Sequence, residues 1–171
     1  MHTRKAFLPD AVAIHDLILQ YSGDGTLLPR SLPEICENVR DFTVVEDDDG
    51  SVIGCAALHF YSTELAEVRS VAVDRQAQGR SAGKALIKAL IREARQHRIV
   101  RVFCLTRAPE FFGRIGFEQV DVQTLPEKVM KDCVGCPRLN CCDEIAMVYA
   151  GAEMRDVPRR DHVESGLRVL Q

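Results

Sequence analysis

The spacing of hydrophobic positions changes several times along this chain, and each change predicts a new element of secondary structure. Three apolar runs, 42–46, 52–61 and 65–74, are separated by short polar segments, and the first run is rich in β-branched residues. Runs of this kind are typical of strands. The first separating segment contains Gly50, which can supply the positive φ of a hairpin turn. The pattern therefore predicts three consecutive antiparallel strands.

The hydrophobic period lengthens after residue 78. Between residues 79 and 97, Leu86, Leu90 and Ala94 recur on one side of a predicted helix. The next run, 100–106, is apolar nearly throughout, as in strands that are buried on both faces. A strand, a helix and a strand in this order form a crossover connection. We therefore expect the strands 65–74 and 100–106 to be parallel neighbours.

Further elements extend this unit on both sides. Apolar spacing and helix start signals predict a strand and two helices before it, and a helix and two strands after it. The fold class is therefore α/β (α+β), a mixed central sheet of about six to seven strands with helices on both faces. The predicted ranges are strand 3–7, helices from residues 10 and 31, helix 109–115, and strands 117–120 and 144–149.

The composition fits one globular domain. The chain has 171 residues, of which 46% are hydrophobic and 27% charged, and we expect a single domain over residues 1–150. Pro158, several charges and weak periodicity predict a partly disordered tail at 151–171. The net charge of −3 argues against nucleic-acid binding. No apolar run approaches the roughly 20 residues that cross a bilayer, and no secretion signal is recognisable, so we expect a cytoplasmic protein.

A glycine-containing loop joins the strand 65–74 to the long helix. Its sequence, Gln-Gly-Arg-Ser-Ala-Gly at 78–83, can turn several backbone N–H groups toward one point at the start of the helix. Unpaired amides and the helix dipole favour an anion there, and Arg80 and Lys84 add positive charge. Taken alone, the loop fits a tight turn into a helix as well as it fits a phosphate site.

Three stretches of the chain resemble the GNAT N-acetyltransferases. The loop is similar to the family motif Q/R-x-x-G-x-G/A, residues 68–74 to the central strand before it, and residues 110–117 to the motif F/Y-x-x-x-G-F. The resemblance implies a GNAT fold, in which two central parallel strands separate in a V, and an acetyl-CoA co-substrate. Two positions depart from the family. Ser81 replaces the first motif glycine, and Phe112 stands where many members have a tyrosine that protonates the leaving thiolate.

The coenzyme contacts implied by this resemblance fall on three segments. The loop would bind the diphosphate, and the strand before it would pair with the pantetheine arm through its main chain. Phe112 is equally explained as an ordinary core residue. The expected cofactor-binding residues are Gln78, Gly79, Arg80, Ser81, Ala82, Gly83 and Lys84 in the loop, Val71, Ala72 and Val73 on the strand, and Thr106 and Phe112 beside the opening.

A narrower resemblance is to the short bacterial N-acetylglutamate synthases. It rests on the segments 27–31, 54–59, 65–73, 109–112 and 143–147. It implies transfer of the acetyl group of acetyl-CoA to the α-amino group of L-glutamate, the first step of arginine biosynthesis. We expect a small-molecule amino-acid partner, no nucleic acid and no membrane, and a homodimer is one assembly open to the chain. Another amino acid, a polyamine or a protein amine is an alternative acceptor, and a non-catalytic acyl-CoA sensor is an alternative class.

The acceptor chemistry singles out three charged residues. The ammonium must lose a proton before its nitrogen attacks the thioester, and Glu67, on the strand leading into the loop, is the expected catalytic base. Glutamate carries two carboxylates, which the arginine fork binds well, so Arg30 and Arg69 are the expected substrate-binding residues. A structural salt bridge for Glu67 and surface ion pairs for both arginines are the alternatives. Lys128, Lys131 and Arg107 are weaker candidates.

Four of the seven cysteines lie in a Cys-rich loop at about 131–143. Cys133 and Cys136 form a Cys-x-x-Cys pair, which is half of a structural zinc site, but the adjacent Cys141 and Cys142 fit a second pair poorly. We expect no bound metal, and Cys133, Cys136 and Cys141 are the residues that would ligate one. Reduced thiols and a redox-sensitive pair are the other interpretations, the latter suited to the sensor class.

Overall fold

Seven strands form one mixed sheet in the computed structural model of the chain, which describes residues 1–136, 141–151 and 154. The strands are β1 (His2–Lys5), β2 (Phe42–Glu46), β3 (Val52–Phe60), β4 (Leu65–Val73), β5 (Arg101–Thr106), β6 (Phe117–Gln119) and β7 (Ile145–Tyr149). Their spatial order is β1-β2-β3-β4-β5-β7-β6. Neighbours are antiparallel except for β4 and β5, which are parallel. The predicted mixed sheet and its parallel pair are confirmed.

Helices connect and cover these strands. They are α1 (Ala11–Ser22), α2 (Leu32–Glu37), α3 (Ala82–Gln96), α4 (Pro109–Gly113) and α5 (Pro126–Lys128), and α5 continues into a π-helical segment, Val129–Cys133. Short 3-10 turns lie at Leu8–Asp10, Val39–Asp41, Arg75–Ala77 and Val122–Thr124. No helix within the described ranges is long and apolar enough to span a bilayer.

The two longest helices lie on opposite faces of the sheet. Leu86, Leu90 and Ala94 of α3 pack into the core on one face. Ile14 and Ile18 of α1 pack into a second core on the other face. Burying a Leu or Ile side chain stabilises a fold by about 1.5–3 kcal/mol. Because both cores include residues of β4, this central strand is held from both sides.

Strands β4 and β5 separate after a short paired stretch. The rows from Leu65 to Glu67 pair with β5, although both strands continue for several residues beyond them. The register between β3 and β4 shifts between Cys55 and Ala57, and Ser70 on β4 has a positive φ of 53°. Such a bulge bends the strand that carries it. The V-shaped opening implied by the resemblance is therefore present.

The long helix begins later than its hydrophobic pattern predicts. It starts at Ala82 instead of residue 79, because Gly79 and Ser81 take left-handed φ values of 81° and 66° that an α-helix excludes. The first strand is also shorter than predicted and ends at Lys5, because the chain soon enters a 3-10 turn that begins at Leu8 and has Pro9 as its second residue.

Two predicted segments lie largely outside the described residues. They are the tail at 151–171, of which the structure describes Gly151 and Met154, and residues 137–140 of the Cys-rich loop. The expected disorder of the tail and the domain boundary at residue 150 therefore stay predictions.

Candidate functional site

A cavity of about 680 Å³ opens where β4 and β5 diverge. Its walls are the end of β4, the loop before α3, the end of β5 and α4. Ala72 and Arg80 are the predicted coenzyme contacts that do not line it, and the Ala72 side chain packs into the core on the α1 side. The predicted contacts that do line it are Val71, Val73, Gln78, Gly79, Ser81, Ala82, Gly83, Lys84, Thr106 and Phe112.

The loop before α3 has the geometry of an anion site. Gly79 and Ser81 turn the backbone through left-handed conformations, and α3 then begins at the cavity wall. The Ser81 hydroxyl makes no capping hydrogen bond, so it does not occupy the first amides of the helix. Amides at a helix N-terminus bind phosphate groups well, and Lys84 lies at the same wall. The loop therefore suits a diphosphate.

Arg80 points to a different partner. Its guanidinium donates to the Asp47 carboxylate at 2.7 and 2.6 Å, in the turn between β2 and β3. The Arg80 hydrogen bonds, with help from the Asp48 amide, hold the pKa of Asp47 at about 2. The pair anchors the loop to a neighbouring turn, and a coenzyme contact of Arg80 stays a prediction.

Tyr21 links α1 to both sides of the loop. It accepts a hydrogen bond from Nε2 of Gln78 at 2.7 Å, and its hydroxyl donates to the Val73 carbonyl. The end of β4 is therefore fixed relative to the loop. Val73 and Gln78 are predicted coenzyme contacts that already have a protein partner, so their role in binding stays a prediction.

Aromatic rings of α4 close the cavity. A Cβ at Gly83 would lie 3.0 Å from the Phe111 ring, so the glycine lets this ring approach the first turn of α3. Phe112 is 5% exposed, belongs to the core on the α3 side and also lines the cavity. Phe112 is therefore both a core residue and a residue beside the opening between β4 and β5, and the two expectations for it are compatible. A phenyl ring has no proton to give to a thiolate.

Two arginines lie beside the bulge of β4, and of the two Arg69 lines the cavity while Arg30 does not. Arg30 donates from Nε to the Ser70 hydroxyl at 2.8 Å and forms an ion pair with Glu34. Arg69 lines the cavity, and its Nη2 is 3.9 Å from the Asp41 carboxylate. The Nε of Arg69 is buried and has no hydrogen-bond partner within the described structure. Arg69 is thus a cavity-lining cation with an unsatisfied donor.

Glu67 lies in a buried ionic cluster on the same face of β4 as Arg69, because the bulge comes after Arg69. Glu67 is 3% exposed. The Lys128 ammonium is 3.0 Å from its Oε1, and the Tyr61 hydroxyl donates to its Oε2 at 2.9 Å. Asp132, from the π-helical segment, hydrogen-bonds to Tyr61 and lies 3.0 Å from Lys128. We call Glu67, Tyr61, Lys128 and Asp132 the Glu67 cluster.

The members of the Glu67 cluster support one another electrostatically. Burial and the two carboxylates raise the pKa of Tyr61, which therefore stays a hydroxyl. Burial alone would lower the pKa of Lys128, but Glu67 and Asp132 raise it. The salt-bridge alternative for Glu67 is thus observed, and its role as a base stays a prediction.

Sequence reasoning does not identify Tyr61, Asp132 or Tyr21 as site residues. Tyr61 and Asp132 are 71 positions apart, and only the fold brings them together. The available signals were weak: Tyr61 ends a predicted strand, and Lys128 and Asp132 share a helical spacing of four residues.

The Cys-rich loop shows no metal centre in its described part. Among residues 1–136, 141–151 and 154, no group of three or more His, Cys, Asp or Glu could hold a metal ion. Cys133, Cys141 and Cys142 are free thiols. Burial raises the pKa of Cys133, which makes its thiol less reactive at neutral pH.

The structure has the features that the sequence resemblance implies. They are two parallel strands that separate, a loop before α3 that suits an anion, and a cavity between the separated strands. The family model described as "Acetyltransferase (GNAT) family" matches residues 12–117. The chain belongs to the GNAT acetyltransferase family. This GNAT acetyltransferase is an N-acetyltransferase whose acetyl donor is acetyl-CoA.

Curated relatives of this GNAT acetyltransferase include proteins of similar and of greater length. It is 40% identical over 145 residues to an uncharacterized N-acetyltransferase of Chlorobaculum tepidum, a match that covers 85% of this chain and 93% of the relative. It is 40% identical over 120 residues to an amino-acid acetyltransferase of Mycobacterium tuberculosis, covering 69% and 68% of the two chains. An amino-acid acetyltransferase of Aliivibrio fischeri is 36% identical over 75% of this chain, and the match spans 29% of that longer protein.

Two solved structures share the fold of this GNAT acetyltransferase. Rv2747 from Mycobacterium tuberculosis, in complex with CoA and a second ligand, has a TM-score of 0.76 at 32% identity, over 87% of this chain and 98% of that one. N-acetylglutamate synthase from Neisseria gonorrhoeae, complexed with coenzyme A and N-acetyl-glutamate, has a TM-score of 0.77 at 32% identity, over 86% of this chain and 34% of that one. The predicted GNAT fold is confirmed.

The site of this GNAT acetyltransferase fits its donor. Acetyl-CoA supplies a thioester whose acetyl carbon an amine can attack. The loop and the N-terminus of α3 suit its diphosphate, and the gap between β4 and β5 suits an extended arm that pairs with main-chain groups as a strand would.

Proposed function

We propose that this GNAT acetyltransferase transfers the acetyl group of acetyl-CoA to the α-amino group of L-glutamate, and so carries out the first step of arginine biosynthesis. The observation that carries the proposal is the pair of arginines at the β4 bulge, above all Arg69 with its buried, unpaired Nε. Glutamate offers two carboxylates for two guanidinium groups. The amino-acid acetyltransferases among the relatives, and the synthase solved with N-acetyl-glutamate, support the same acceptor.

The charge balance around the bulge favours an acidic acceptor. Arg30 already has Glu34 as a partner, but the carboxylate of Asp41 is 3.9 Å from Arg69, beyond hydrogen-bond distance. A buried donor that is left unpaired costs about 1–3 kcal/mol. A substrate carboxylate that accepts from Arg69 removes this cost, whereas a polyamine or a basic amino acid would bring another cation to the same place.

Glu67 is the proposed base for this reaction. It pairs with Phe103 in the last parallel row of β4 and β5, so it lies where the opening begins. Amine attack also needs donors for the oxyanion, and the N–H groups of β4 near Val71 are the proposed source. Because Phe112 cannot act as an acid, positioning of the amine against the thioester carries most of the catalysis.

A thiol-release assay with acetyl-CoA and each of the twenty amino acids tests the acceptor. Glutamate is expected to give the highest kcat/KM. Glutamine, which neutralises one carboxylate at constant size, and aspartate, which shortens the side chain, are matched controls and should be at least about tenfold poorer. Turnover of a basic amino acid or a polyamine, with none of glutamate, would refute the proposal.

The cellular location and the oligomeric state of the protein are also part of this proposal. A cytoplasmic protein with a small amino-acid substrate remains our expectation, and a homodimer remains one possible assembly. The coenzyme contacts proposed for the loop and for β4 are those predicted from the sequence, with Arg80 as the residue that must first release Asp47.

A further inference from the structure

The Tyr61 hydroxyl bridges the two carboxylates of the Glu67 cluster. It lies 2.9 Å from Oε2 of Glu67, and it also hydrogen-bonds to Oδ2 of Asp132. The Lys128 ammonium is 3.1 Å from the same Glu67 oxygen and 3.0 Å from the same Asp132 oxygen. One hydroxyl and one ammonium therefore connect the two carboxyl groups.

A single hydroxyl cannot donate to both carboxylates, because it has one hydrogen. While Tyr61 donates to one carboxylate, it can accept a hydrogen bond from the other one only if that group is protonated. With Glu67 and Asp132 ionised and Lys128 charged, these groups carry one net negative charge. The cluster therefore has room for one additional proton, which Tyr61 can pass between its two ends.

The two ends differ in their access to water. The Glu67 side chain is 4% exposed, whereas the Asp132 side chain is 32% exposed. Acetylation of an ammonium removes two protons from nitrogen. One of them ends on the CoA thiol, and the other must reach solvent. A base as buried as Glu67 needs a route by which this second proton leaves.

We propose that Glu67, Tyr61 and Asp132 form a proton exit path, in which Tyr61 and Asp132 are positioning and relay residues for the proposed base. Glu67 takes a proton as the N–H bond of the substrate breaks. The Glu67 Oε2–H proton then moves to the Tyr61 oxygen while the Tyr61 hydroxyl proton moves to Asp132, which releases it to water. No group changes its oxidation state, and all three return to their starting forms. This inference rests on the proposed role of Glu67.

The surroundings of the path agree with this direction of transfer. Burial raises the pKa of Tyr61, so the residue acts as a neutral bridge. Burial would raise the pKa of Asp132, but the hydrogen bonds from Tyr61 and Lys128 lower it, so Asp132 gives up a proton readily to water. Among the described residues, the other titratable or charged groups near the cluster include His59 and Lys131 beside Tyr61 and Arg69 beside Asp132. Cys133 lies beside Asp132 and Lys128, and Cys104 on β5 lies beside Glu67.

Tyr61→Phe and Asp132→Asn test the path, since each removes one link and keeps the size of the side chain. We expect kcat to fall at least about tenfold in each variant in dilute buffer, with the KM for acetyl-CoA unchanged. Because both residues act in series, the double variant should be no slower than the slower single variant. A concentrated small buffer such as imidazole should restore much of the lost rate of Asp132→Asn by carrying the proton itself.

Tyr149→Phe is the matched control and should keep wild-type kcat and buffer dependence. Tyr149 lies on β7 and packs against Phe117 in the core on the α3 side, whereas Tyr61 packs in a different core. Losses that add in the double variant and do not respond to buffer would show a purely structural role and overturn the path, as would an unchanged kcat in both single variants. The variants are assayed with whichever amine the wild type acetylates, so a wrong acceptor is recognised separately. No wild-type turnover with any amine would refute the proposed function and the path together.

Discussion

Ser81 holds a left-handed backbone, with φ 66° and ψ 11°, at the point where the loop enters α3. A residue with a Cβ pays roughly 1–2 kcal/mol for this conformation. A glycine would avoid that cost but would lose about 0.5–1 kcal/mol through the extra freedom of the unfolded chain. The strain cost is on average the larger of the two, so Ser81→Gly is expected to raise the free energy of unfolding by up to about 1.5 kcal/mol. Urea denaturation at neutral pH measures it.

Ser81→Ala is the control for this single residue. It removes the hydroxyl but keeps the Cβ, so no gain in stability is expected from it. Equal gains in the alanine and glycine variants would show that the hydroxyl, and not the left-handed φ, limits stability at this position.

Arg69 makes the second prediction at the residue scale. Replacing it by Gln keeps a polar side chain but removes the charge that a substrate carboxylate would meet. We expect the KM for glutamate to rise at least about tenfold, or about 1.4 kcal/mol, with the KM for acetyl-CoA unchanged. Steady-state kinetics check this. Arg95→Gln, at an exposed position near the end of α3, should leave both constants unchanged, and an unchanged glutamate KM in Arg69→Gln would contradict the assignment.

At the scale of elements, the ion pair between Asp47 and Arg80 joins the β2–β3 turn to the loop before α3. Arg80 holds the pKa of Asp47 at about 2, below its ordinary value of 3.8. A carboxyl whose pKa is lowered by folding stabilises the fold above its ordinary pKa, and this contribution is lost as the pH falls toward the lowered value. Asp47→Asn should therefore melt below the wild type at neutral pH, and the difference should vanish between about pH 4 and pH 2.

Melting temperatures measured from pH 7 down to pH 2 check this prediction. Asp49→Asn removes a charge from the same turn but leaves the Asp47–Arg80 pair in place, so it should keep the fall in Tm that loss of this pair causes between about pH 4 and pH 2. A constant offset for Asp47→Asn at every pH would mean that the variant acts through packing and not through the ion pair.

The order of elements could be predicted from the sequence, while the bulge and the Glu67 cluster could not. Hydrophobic spacing is local, and it identified the strands and α3 because each buries one face or both. The positive φ of Ser70 depends on how β4 pairs with β3, which no local pattern records. The π-helical segment that brings Asp132 to Tyr61 also lacks a hydrophobic signal. The resemblance implies glutamate as the acceptor, and Arg30 and Arg69 are predicted from the fit of arginine to its carboxylates. The protein partners of these two arginines are known only from the fold.

At the scale of the whole molecule, contacts between distant segments hold the cavity open. Arg107, after β5, donates to the carbonyls of Gly25 and Thr26 in the segment between α1 and α2, and also pairs with Asp143. Tyr21, on α1, is bound to the end of β4 through its hydrogen bond to the Val73 carbonyl. Because the walls are joined across the opening, acetyl-CoA should find a site that is largely formed, and little of its binding energy is spent on reorganisation.

Because the coenzyme site is formed only in the folded protein, binding of the coenzyme should stabilise the whole fold. A ligand that binds the folded state alone adds about 2.7 kcal/mol at a hundred times its Kd. For a chain of this length that amounts to a rise in Tm of about 5–10 °C, measurable by scanning calorimetry with CoA. Pantetheine lacks the diphosphate that the amides before α3 are proposed to bind, so at the same concentration it should raise the Tm much less. Equal shifts for the two ligands would mean that the loop contributes nothing to binding, and no shift with CoA would contradict a preformed site.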